Sequence, residues 1–311
     1  MLLNIIKLRY FDTPVFLDVA SVISSYTLES QVSLSANIFP NAPANLNQGI
    51  GASGTYTEHP TVSYAPLTGE RFVNSLLRPI LPQAVFAMVQ AGHPADYILR
   101  ATVQAINGVY NSAASPPRAR REDPAFGRVI EALRRIQQAG ALDVRVETRE
   151  GKETTLISFR ENVDPEVDND ISSVRKTLGI DPAFKELVLT YGSARRAGGE
   201  IALFTRSMLQ ILVELSTGVE VPEEDMREGR AVAIPASDSN LRTRGPSLVR
   251  IRSGTEQLAD AYAAVHYRSH WFWIDDRDLV SKRVFTFLMM FTSIAETGAV
   301  PQVPIITIPA N

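Results

Sequence analysis

The segment from Asp123 to Phe159, DPAFGRVIEALRRIQQAGALDVRVETREGKETTLISF, decides the fold class. Asp123 stands at an N-cap position and Pro124 at the first helical one. Phe126, Ile130, Leu133 and Ile136 recur on one helical face, and Gly140 follows. The period then switches to two. Leu142, Val144 and Val146 alternate with Asp143, Arg145 and Glu147, Glu150-Gly151-Lys152 turns, and Thr155 to Phe159 returns. A helix followed by an antiparallel hairpin, without a regular strand–helix–strand beat, predicts the α+β class: mixed helices and antiparallel β-hairpins in two subdomains.

Upstream, Leu2 to about Tyr10 reads as a short helix and Asp12-Thr13-Pro14 as a turn, with Val15 to Val22 compatible with strand or helix. Helices are predicted from Leu67 to Pro79, from Pro82 to Gly92, and from about Pro94 through Ile98, Leu99, Val103 and Ile106 to Gly108. Residues 111–122, with two prolines and Arg118, Arg120 and Arg121, read as a linker between an N-terminal region (1–115) and a C-terminal domain (123–311). Downstream come an acidic capped helix from Asp164-Pro165 to Leu178, a strand at Leu187 to Tyr191 and a helix from Thr205 to Leu215. Strands follow at Leu248 to Ile251, Tyr262 to Tyr267 and Trp271 to Ile274, then a helix from Arg277 to Ala295 and a terminal strand at Val303 to Ile308.

Of the 311 residues, 31 Lys plus Arg against 34 Asp plus Glu leave a net charge of −3, which argues against a polyanion-binding surface; nucleic acid is not an expected partner. The absence of cysteine excludes a thiolate nucleophile, a disulfide and any Cys-ligated metal, and it suits passage through an oxidising compartment. Met1 to Ile6 is apolar, but Lys7 and Arg9 interrupt it before a signal-peptide core is reached, so an export or lipidation segment is expected to lie upstream. The apolar runs at Ile201–Leu215 and Val284–Ile294 fall short of a bilayer span.

Each candidate for chemistry has a plainer structural reading. His266 and His270, with Asp275, Asp276 and Asp278 behind them, collect metal-ligating types, yet their neighbours read as two strands of a tight hairpin on which the imidazoles need not converge. Asp275-Asp276-Arg277-Asp278 offers a carboxylate pair for acid–base work, but it sits where a strand yields to a helix and carboxylates cap backbone N–H groups. Arg195 and Arg196 before Gly198-Gly199 suggest an anion cradle. Without a GxxxxGK[ST] or GxGxxG pattern, a turn bearing two arginines is preferred. Trp271-Phe272-Trp273 reads as core on at least one face, with a contact patch as its alternative. Arg242, Arg244, Arg250 and Arg252 read as a solvated face. Arg195, Arg196, Trp271, Trp273, Asp275, Asp276 and Asp278 are thus the binding candidates and His266 and His270 the metal candidates. No residue is assigned a catalytic role and no cofactor is expected.

The most unusual stretch is Leu28 to Pro66. Val32, Leu34, Ala36 and Ile38 alternate with Ser33, Ser35 and Asn37; a Pro- and Asn-rich loop follows; and Gly51 to Tyr64 returns as a second alternating run. The two runs have the length of membrane-spanning β-strands contributed to an oligomeric barrel. The preferred reading is a soluble hairpin whose edge pairs between subunits.

Several stretches together resemble a family of bacterial cell-envelope lipoproteins. They are Leu2-Leu3-Asn4-Ile5 with Arg9-Tyr10, Asp12 to Leu17, Tyr64 to Glu70 with Phe72, Gly218-Val219-Glu220-Val221-Pro222, and Trp271 to Leu279 with Ser281-Lys282. The resemblance implies a signal peptide and a lipid-modified cysteine upstream of Met1, a place on the periplasmic side of the envelope, and no activity. The expected function is a non-enzymatic envelope binding or assembly component, acting with a protein partner or by self-association and attached to the membrane through an N-terminal lipid anchor. The alternatives are a hydrolase or metal-dependent enzyme using Asp275, Asp276 and His266, and, if Met1 is the native start, a cytoplasmic partner-binding protein.

Overall fold

From Met1 the first apolar turn closes into helix α1 (Leu2–Arg9), which buries Leu2, Ile5 and Ile6. The chain then extends through β1 (Leu17–Ala36) and β2 (Gln48–Pro66). Helix α2 (Gly69–Phe72) passes into a π-helical turn over Val73–Leu77, and α3 (Pro82–Gln90) and α4 (Ala95–Thr102) follow. Next come β3 (Val103–Ile106), β4 (Val109–Tyr110), α5 (Pro124–Gln138), β5 (Leu142–Arg149), β6 (Lys152–Phe159) and α6 (Pro165–Leu178). The remainder is β7 (Glu186–Tyr191), β8 (Glu200–Thr205), α7 (Met208–Ser216), α8 (Glu223–Arg227), β9 (Arg252–Gly254), β10 (Ala261–Tyr267), β11 (His270–Asp275) and α9 (Leu279–Glu296). This computed structural model describes residues 1–36, 48–66, 68–113, 120–149, 152–194, 198–231 and 247–296. The chain divides into two units, Met1–Pro14 with Thr68–Gly298, and Val15–Leu67 with Ala299–Asn311.

The class is α+β. Among the described residues the first unit holds a six-strand mixed sheet, ordered β4-β3-β8-β7-β6-β5, and a three-strand antiparallel sheet, ordered β10-β11-β9. The deciding segment folds as expected. The Asp123 carboxylate accepts a hydrogen bond from the Ala125 amide at 2.8 Å, and α5 buries Phe126, Ile130, Leu133 and Ile136. Each fully buried large side chain of this kind stabilises by about 1.5–3 kcal/mol. The β5–β6 pairing runs from Leu142↔Phe159 to Arg149↔Lys152. Phe86 of α3, Leu133 of α5 and Leu178 of α6 close over Ile106, Ile157 and Ile201 of the sheet, around an apolar void of about 10 Å³. That is at the lower limit for one water molecule and offers no ligand space.

Two expectations about single elements are corrected. The helix expected to run to Gly108 stops at Thr102, and Val103–Ile106 is strand β3. Asn107 and Gly108 both have positive φ, 45° and 78°, which is the two-residue turn that joins twisted hairpin strands. The hairpins β3–β4, β5–β6 and β10–β11 pair antiparallel, and the six-strand sheet is mixed because β7 and β8, which form no hairpin, pair parallel from Val188↔Glu200 to Tyr191↔Leu203. Finally, β8 (Glu200–Thr205) occupies a stretch given no element before the helix expected from Thr205, and the strand expected at Leu248–Ile251 begins at Arg252. Of the expected linker, residues 111–113 and 120–122 are described and fall within the first unit, and residues 114–119 lie outside the described residues. So do the expected terminal strand at 303–308 and the loop at 40–47.

In the second unit β1 and β2 form a two-stranded antiparallel ribbon, 20 and 19 residues long. Val15 to Val22, left open between helix and strand, belongs to it from Leu17 onward.

Candidate functional site

The acidic run after β11 is a helix start. The Asp278 carboxylate accepts from the Ser281 amide at 3.1 Å and the Ser281 hydroxyl at 2.7 Å, capping α9. Burial opposes its ionisation, but those two bonds and the charge of Arg250 prevail, and Asp278 titrates below the ordinary carboxylate range. Asp275 accepts from the Arg277 amide at 2.9 Å and faces Arg252 at 3.6 Å. Asp276 takes Lys282 at 2.5 Å. Each carboxylate of the run thus has its own backbone amide or cation.

His266 pairs in register with Trp271, and His270 with Tyr267. Adjacent register positions lie on opposite faces of a sheet, so the imidazoles diverge. His266 meets the Trp271 ring edge-on at 5.2 Å. No group of three metal-ligating side chains occurs among the described residues. On β11, Phe272 and Ile274 form the core face at 1% and 0% exposure, while Trp271 and Trp273 are half-buried on the other. A Cβ on Gly254 would stand 3.1 Å from the Trp273 ring, so the small residue lets the indole lie against β9. Arg195 and Arg196 lie outside the described residues. The glycines behind them serve packing: a Cβ on Gly199 would meet the Phe184 ring at 2.7 Å.

A polar network that the sequence reading missed ties α1 to the C-terminal sheet. The Tyr10 hydroxyl donates to the buried Asp225 carboxylate at 2.6 Å, and Arg230 reaches the same carboxylate at 3.2 Å. The Tyr10 ring packs edge-on against Tyr267 and Phe272, with the Arg268 guanidinium 4.9 Å from its centroid. Asp12 accepts from the Tyr267 hydroxyl and, at 2.9 Å, from Arg268. Burial first, then the bond to Asp225 and its charge, push the Tyr10 hydroxyl well above the ordinary tyrosine value. Tyr267 is raised for the same kinds of reason, and the bonds from Tyr267 and Arg268 hold Asp12 below the usual carboxylate range. Neutral tyrosines that donate to paired carboxylates act as a clasp, not as a proton relay. No local motif marks it, since Tyr10 and Asp225 lie 215 positions apart.

Arg206, 3% exposed, donates to the carbonyls of Arg100 at 2.7 Å, Ala101 at 3.0 Å and Ser112 at 2.5 Å. A guanidinium spent on chain carbonyls fastens the end of α4 to the β8–α7 junction. Its charge faces the Glu214 carboxylate at 3.9 Å.

The remaining candidate is the ribbon. Past a bulge between Val19 and Ser21, its register is unbroken from Ser21↔Ser63 to Ala36↔Gln48. Positions two apart share a face. Leu28↔Tyr56, Ser30↔Gly54, Val32↔Ala52, Leu34↔Ile50 and Ala36↔Gln48 therefore fall on one face, and Thr27↔Thr57, Glu29↔Thr55 and Gln31↔Ser53 on the other. No helix among the described residues is long and apolar enough to cross a membrane.

Comparison with family models, with curated proteins and with solved structures yields no match to this chain. No site residue is therefore carried over from a relative, and the functional reading stands on the geometry.

Proposed function

We propose that this protein is a non-enzymatic assembly component of the bacterial cell envelope, working on the periplasmic side by pairing its β1–β2 ribbon with a neighbouring chain. The observation that carries this is the ribbon itself. Its two strands, 20 and 19 residues long, pair only with each other among the described residues. An isolated two-stranded ribbon is marginal in water, and an open edge of that length is a template for another strand. The cysteine-free composition suits an oxidising compartment, and the resemblance to envelope lipoproteins points the same way.

The test uses that composition. With no native cysteine, each introduced one is unique. Single-cysteine variants along β1 are mixed with single-cysteine variants along β2 in the full chain and oxidised. Strand pairing between chains gives disulfide-linked dimers for aligned positions only, repeating every second residue, together with an oligomer by light scattering. A strict monomer that forms no cross-link removes the proposal.

A further inference from the structure

The register of the ribbon says more about what it meets. Resting on the assembly reading above, we infer that the half nearer residues 37–47, Leu28–Ala36 with Gln48–Tyr56, inserts into a lipid bilayer as two strands of a transmembrane β-barrel. Further copies of this chain complete the barrel.

Length and chemistry agree. At ~3.3 Å per residue, Leu28 to Ala36 spans about 26 Å, close to the apolar band of about 25 Å on membrane barrels. Within that span the face holding Leu28, Val32, Leu34, Ile50, Ala52 and Tyr56 also takes the pairs Ser30↔Gly54 and Ala36↔Gln48; it contains no ionisable residue, and Ser30 and Gln48 are its polar members. The opposite face is built from Ser, Thr, Gln, Gly and one carboxylate, Glu29. Apolar outside and polar inside, alternating residue by residue, is the pattern of a strand between lipid and a watery lumen. The next pair along the apolar face, Tyr26↔Glu58, introduces a charge. Tyr26 and Tyr56 stand at that level, where a membrane interface favours tyrosine.

Among the described residues both strands of the ribbon keep an unpaired outer edge, and those edges identify the partner. In hydrocarbon every backbone N–H and C=O must be bonded, so a lone ribbon cannot insert. Because β1 and β2 are antiparallel, β2 of one copy continues the ladder on β1 of the next, and the head-to-tail series closes into a ring. Each copy supplies two strands, which gives the even strand number of bacterial barrels. The remaining part of the ribbon, Leu17–Thr27, exceeds the hydrocarbon thickness and lies outside it.

The experiment adds the full chain, with the single substitution Val32→Lys or Gln31→Lys, to phosphatidylethanolamine–phosphatidylglycerol vesicles holding carboxyfluorescein. The native chain is expected to release the dye. Lysine at 32 is expected to lower release by about 30-fold or more, because it places a charge in lipid, whereas lysine at 31 preserves release. Separately, Gln31→Cys and Val32→Cys carrying an environment-sensitive fluorophore report burial without relying on a charged variant. Brominated lipid is expected to quench the label at 32 and spare the label at 31. Equal release by the two lysine variants, or equal quenching at the two positions, overturns the inference. A cross-linked oligomer that never releases dye overturns it too but leaves the assembly reading standing; a monomer without cross-links removes both.

Discussion

Tyr10→Phe isolates the clasp between the N-terminal helix and the C-terminal half of the same unit. The substitution keeps the ring and its edge-on contacts with Tyr267 and Phe272, and deletes only the hydroxyl that donates to Asp225 at 2.6 Å. Asp225 is 2% exposed and retains Arg230 at 3.2 Å, so it loses one bond of two without losing its counter-charge. A hydrogen bond to a charged group contributes about 1.5–3 kcal/mol, and for a unit of this size that lowers Tm by about 3–12 °C. The sign of the pH effect is also fixed. Tyr10 has a raised value when folded, so its contribution is complete below the unfolded tyrosine pKa of about 10 and fades as pH rises through the folded value. In urea titrations the gap between native and variant protein should stay constant from pH 7 to about pH 9 and narrow above pH 10. A double cycle with Asp225→Asn should recover most of the loss as coupling. Equal stability of the native protein and Tyr10→Phe, within about 0.5 kcal/mol, would show that the clasp contributes nothing and that Arg230 alone satisfies the carboxylate.

Three further outcomes follow from local geometry. Gly218→Ala forces a methyl group onto the Val249 carbonyl oxygen, a backbone atom already held by the Ser247 hydroxyl, and should cost about 1–3 kcal/mol or more in urea unfolding. Asp278→Ala removes the α9 cap and should cost about 0.5–2 kcal/mol at neutral pH. Since Asp278 is held below its unfolded value, its contribution is present above pH ~4 and lost on acidification, so the variant and native curves should converge there. Gly108→Ala places a Cβ at φ 78° and should cost about 1–2 kcal/mol in thermal unfolding; an unchanged Tm would refute the assignment of that turn.

How much was legible varies with how local the cause is. Asp123-Pro124 and the spacing after it specify α5 because cap, first turn and apolar stripe all lie within one helix. The β5–β6 hairpin is legible for the same reason. Asn107-Gly108 carried a hairpin signal of equal strength, but Ile98, Leu99 and Val103 fit helical spacing and masked the change of period at Thr102. β8 was missed because Ile201-Ala202-Leu203 is buried without alternation, as expected of a central strand flanked by β3 and β7. Among the candidate residues, the capping role weighed for the aspartates follows from chain position alone. The divergence of His266 and His270 required the strand register.

Composition and short-range pattern determined, without coordinates, that this is a cysteine-free α+β protein with a long alternating hairpin, because each of those properties depends on a residue and its near neighbours. Only tertiary structure decided the strand order of the sheet, the Tyr10–Asp225 clasp and the register of the ribbon. Those depend on which distant residues stand opposite one another. A one-residue slip in the β1–β2 register would set Val32 beside a residue of the polar face and remove the pattern on which the bilayer inference rests.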